Sequence, residues 1–62
     1  MIEETVATMR AALVAEHEEH IAEAQQHADE AAARGDEWYR KWHQEHADRL
    51  RRMPYPWEQR AA

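Results

Sequence analysis

The stretch EHEEHIAEAQQH, residues 16–27, holds three histidines and four glutamates. Two further histidines, His43 and His46, follow beyond the chain's single glycine. Imidazole and carboxylate at helical spacing are ligands for zinc and other divalent first-row metals. If the two segments fold against each other, His20, Glu23 and His27 come from one side and His43 and His46 from the other. HxxH occurs at 17–20 and 43–46, but neither HExxH nor the ExxH of di-iron carboxylate bundles is present. The plainer expectation is structural histidines and no cofactor. On a helical wheel His17 and His46 fall centrally on apolar faces, and His20, His27 and His43 lie at the margins. Protonating His17 and His46 near pH 6 would then bring charge into an apolar seam and loosen it.

Other chemistries lack their residues. There is no serine or cysteine nucleophile and no glycine-rich loop for phosphate. The expected helices are too few to enclose an ordinary substrate pocket. The sequence therefore predicts a protein that binds and does not catalyse.

The elements that would position these residues are helical. Thirteen of the 62 residues are Ala, Glu, Gln and Arg are frequent, and only one Gly and two Pro occur. Such a composition predicts an all-α chain. The first helix is expected over 3–34, with Glu3 and Glu4 at its positive end. Ile2, Val6, Met9, Leu13, Val14, Ile21, Ala24, Ala28 and Ala31 share one face. Large residues fill its first half and alanines its second, so another helix should approach closely along 24–32. Gly35 suits a C′ position and Asp36 an N-cap, which predicts a tight turn.

The second helix is expected over 37–53, with Trp38, Tyr39, Trp42, His46, Leu50 and Met53 on its apolar face. Arg49, Arg51 and Arg52 suit its negative end, and Pro54 stops it. A hairpin centred on Gly35 sets Trp42 opposite Ala28 and His46 opposite Ala24, bulky against small. The alternative is one continuous helix in a coiled coil. The stripe Ala24, Ala28, Ala31, Gly35, Trp38, Trp42 stays in phase, and a helical glycine costs only about 1 kcal/mol. PYPWEQRAA, residues 54–62, is expected to be an extended tail. Its Tyr55 and Trp57 could fold back over α-helical apolar residues left bare.

A chain of 62 residues is one domain at most and buries only about 60% of its unfolded surface. Without cysteine it has no disulfide, so oligomerisation is the expected source of stability. The expected assembly is a coiled-coil-like dimer or four-helix bundle. Its contacts would be Val6, Met9, Leu13 and Ile21, then Trp38, Trp42, Leu50, Met53 and the tail's Trp57. No apolar run approaches the roughly 18 residues of a membrane span. MIEETV has no signal-peptide character, so a cytoplasmic location is expected.

Charge is divided unevenly. Residues 1–33 hold eight acidic residues against one basic, and residues 34–62 hold seven basic against five acidic. The acidic residues at 16–30 suit a basic protein partner. An alternative is an acidic nucleic-acid mimic that inhibits a basic host protein. Direct nucleic-acid binding is disfavoured by the net charge of −5. RLRR at 49–52 is expected to be a solvated helix end, and RGD at 34–36 a pair of caps. Arg outnumbers Lys seven to one. That bias suits a GC-rich genome, as in small accessory or inhibitory proteins of actinobacteria and their phages.

Overall fold

The computed structural model describes residues 2–58. The side chain of Ile2 and the tail positions 59–62 lie outside the described residues. Two helices form, α1 over Ile2–Ala33 and α2 over Glu37–Arg52. They pack side by side as an antiparallel hairpin and fill a single layer. The Cα extents are 51 × 27 × 8 Å.

The turn follows from two adjacent residues. Gly35 adopts φ 75°, a left-handed backbone that a side chain would disfavour. Around it the Gly35 N–H donates to Ala32 O at 3.0 Å and the Asp36 N–H to Ala31 O at 2.8 Å. These are the two bonds of a Schellman motif. Asp36 then caps α2, its Oδ1 accepting from the Tyr39 N–H at 3.2 Å. The continuous helix is thereby corrected: the in-phase stripe cannot hold Gly35 helical when a glycine cap and an aspartate cap meet there. Asp36→Ala removes the acceptor without adding bulk. A loss of about 1 kcal/mol is expected, read as a lower thermal midpoint in circular dichroism.

The interhelix seam differs from the wheel's expectation. Its buried residues are Ala24, Ala28 and Ala31 from α1 and Ala47 from α2. Trp38 is 68% exposed and Trp42 50% exposed, so the indoles do not fill the space against the alanines. The physical reason is close approach. Four methyl groups let the helix backbones come near each other, and an indole between them would hold them apart. α2 is accordingly turned so that Arg40, His43, Gln44 and Ala47 face α1, with Arg40, His43 and Gln44 half-buried.

Polar contacts then lock one side of the seam. Gln25 Nε2 donates to Gln44 Oε1 at 2.8 Å, and Gln44 Nε2 donates back to Gln25 Oε1 at 2.9 Å. Arg51 Nη2 also donates to Gln25 Oε1 at 2.9 Å, while its Nη1 pairs with Asp48 at 3.0 Å. Gln25 and Gln44 sit nearly equidistant from Gly35, which is why antiparallel packing brings them together.

After α2 the chain returns along α1. Tyr55 sets its ring edge-on to His17 at 5.4 Å and stacks on Trp57 at 4.9 Å. The Arg10 guanidinium lies over the Trp57 ring at 5.3 Å. The Glu58 N–H donates to Tyr55 O at 2.9 Å, so the tail turns here and is not extended throughout.

Candidate functional site

The two sides of the flat hairpin differ in chemistry. One carries the glutamine pair with Arg51 and Asp48. The other is an open groove of about 330 Å³ lined by His20, Glu23, Ala24 and His27 from α1 and Trp42, His43, His46 and Leu50 from α2. All five residues that the sequence marks as possible metal ligands therefore line one groove. The reason is periodic: His20 and His27 are seven residues apart, two helical turns, with Glu23 between them. His43 and His46 share the adjoining face of α2 at an i,i+3 spacing.

Within the groove the rings form a ladder. His27 and His43 approach across the seam with centroids 5.1 Å apart and planes tilted by 31°. His43 stacks on Tyr39 at 6.1 Å and meets the Trp42 edge at 4.9 Å. Trp42 in turn stacks on His46 at 5.9 Å. His27 Nδ1 stands 3.9 Å from Glu30 Oε2. As the side chains stand, no three His, Asp or Glu among the described residues are grouped to hold a metal ion.

His17 lies apart from this groove. It borders a second one of about 240 Å³ with Leu13, Met53, Pro54 and Tyr55. Its Nε2 is 2.6 Å from Leu50 O. A carbonyl only accepts, so this ring nitrogen carries the proton and donates. The contact ties the middle of α1 to the C-terminal turn of α2, where Leu50 O also accepts from the Met53 N–H at 3.2 Å.

The expected assembly residues divide into two groups. Val6, Met9, Leu13, Trp38, Trp42 and Met53 are exposed. Ile21, Leu50 and Trp57 are half-buried, Trp57 because the tail lies on α1. Sequence reasoning missed the Gln25–Gln44 pair. Its signal was their near-symmetry about Gly35, but a wheel of apolar residues gives glutamine no weight.

No family model matches the chain, and neither a curated protein nor a solved structure is significantly similar to it. Among the described residues, no helix is long and apolar enough to cross a membrane.

Proposed function

We propose that this chain is a non-enzymatic helical hairpin that self-associates and binds a protein partner. The observation that carries the reading is the core, whose described members are four alanines. Burying four methyl groups contributes only about 3 kcal/mol, little for a chain without disulfides. Meanwhile Val6, Met9, Leu13, Trp38, Trp42 and Met53 all stand exposed. Apolar surface on that scale, on a layer whose Cα atoms span 8 Å, suits a second layer laid on it.

The occupant favoured is a second copy. Laid across the first, its acidic α1 would meet the arginine-rich end of α2, where Arg49, Arg51 and Arg52 form the last turn. The large side chains of both copies would then share a four-helix core. Glu18, Glu19 and Glu30, exposed on the face of α1 away from its apolar stripe, would stay outside, available to a partner that presents lysine and arginine.

Light scattering coupled to size-exclusion chromatography tests the first half. A mass of two or more chains, with helicity that falls on dilution, is expected. A helical monomer at micromolar concentration would overturn self-association.

A further inference from the structure

We propose that the histidine groove binds one divalent first-row transition ion, zinc above all, across the two helices of a single hairpin. The site starts from the pair His27 and His43, which meet across the seam. Two imidazoles bound to one tetrahedral zinc at about 2.05 Å have ring centroids roughly 5.2 Å apart. The His27 and His43 centroids are 5.1 Å apart, with one ring on each helix. The pair also has an orienting neighbour. Glu30 Oε2 lies 3.9 Å from His27 Nδ1. At that distance there is no hydrogen bond, but a small rotation would let the carboxylate accept from Nδ1 and leave Nε2 as the lone-pair donor, the usual arrangement behind a ligating histidine.

The remaining ligands sit at chelating spacing on the same groove. Glu23 is one turn before His27 on α1, and His46 is three residues after His43 on α2. Both line the groove beside the pair. Because the hairpin is antiparallel about Gly35, Glu23 and His46 fall at the same end of it. Together they make a rectangle of three imidazoles and one carboxylate, two ligands from each helix. That donor set suits zinc and its first-row neighbours and not calcium or magnesium, which take oxygen.

To close the site Glu23 and His46 would rotate toward the pair. Glu23 is exposed and His46 half-buried, and His46 would leave its stack on Trp42 to reach the ion. Such an ion would join α1 to α2 where the seam offers only alanine methyls, a staple for a small chain without disulfides. All four ligands come from one hairpin, and Trp42, the proposed assembly anchor, lines the same groove.

Zinc chloride titrated calorimetrically into the untagged, chelator-stripped full chain near pH 7.5 tests it. One ion per chain with a dissociation constant at or below about 10 μM is expected. His27→Gln, an exposed change, should weaken binding at least about tenfold, and His27→Gln with His43→Gln should remove it. His17→Gln, outside the groove, should bind as the parent does. Affinity should fall between pH 7.5 and pH 5.5, because protons compete for the imidazoles. Tryptophan emission should change on binding as His46 leaves Trp42. No saturable binding, equal binding by His27→Gln, or one ion per two chains would each overturn the proposal. Circular dichroism of each variant separates lost ligands from lost fold.

Discussion

Trp42→Glu is expected to dissociate the assembly and raise its dissociation constant at least 100-fold, about 3 kcal/mol. The expectation rests on what Trp42 touches and on what it leaves bare. Half of the residue is exposed, its ring contacts are with His43 and His46 on its own helix, and it lines the open groove. Within one hairpin the change is a surface substitution, which costs within about 0.5 kcal/mol. Under a second copy the indole would be a central anchor, of the residue type that dominates interface energetics. The substitution would remove that anchor and put a carboxylate under apolar cover. Sedimentation velocity of parent and variant across a dilution series decides between the two. An unchanged mass distribution would show that this aromatic surface faces water and would remove the reason for self-association through it.

The second large effect is expected inside the hairpin. Ala47→Leu should lower the thermal midpoint by about 10 °C, since overpacking a tight contact costs about 1–3 kcal/mol and 1 kcal/mol shifts a domain of this size by about 4–8 °C. Ala47 is 0% exposed and faces the alanine row of α1, where Ala31 is also 0% exposed. A leucine there must push the helices apart. Separation would stretch the reciprocal amide pair of Gln25 and Gln44, now 2.8 and 2.9 Å. Ala32→Leu, on the exposed side of α1, serves as the control and should leave the midpoint within a few degrees. A variant at 47 that melts like the parent would mean that α2 sits in another rotation, with its indoles turned inward.

Those two substitutions probe the point at which reasoning from sequence and the observed packing part. The apolar wheel placed Trp38 and Trp42 against the alanines because large residues opposite small ones fill space. The packing pairs small with small. Ala47, a single apolar residue on an otherwise polar face of α2, carries almost no weight in a wheel. In three dimensions it decides the rotation of α2, because it permits the closest backbone approach and brings Gln44 to Gln25. The candidate groove was more legible. His20, Glu23, His27, His43 and His46 were picked out by residue type, and helical period with antiparallel register was enough to bring them to one side. The contact of His17 with Leu50 O was not legible, since a backbone carbonyl leaves no mark in a sequence.

By itself the sequence determined that the chain is helical and marked Gly35 and Asp36 as the place where it could turn. Those are local matters of backbone propensity, capping chemistry and composition, each settled within a few residues. Only the tertiary structure decided which face of α2 meets α1. That choice depends on comparing close approach plus paired amides with buried indoles, a comparison that exists only once two helices share a seam. The same rotation leaves the indoles outside and sets His27 5.1 Å from His43, and so places both surfaces on which the proposed assembly and the proposed metal site rest.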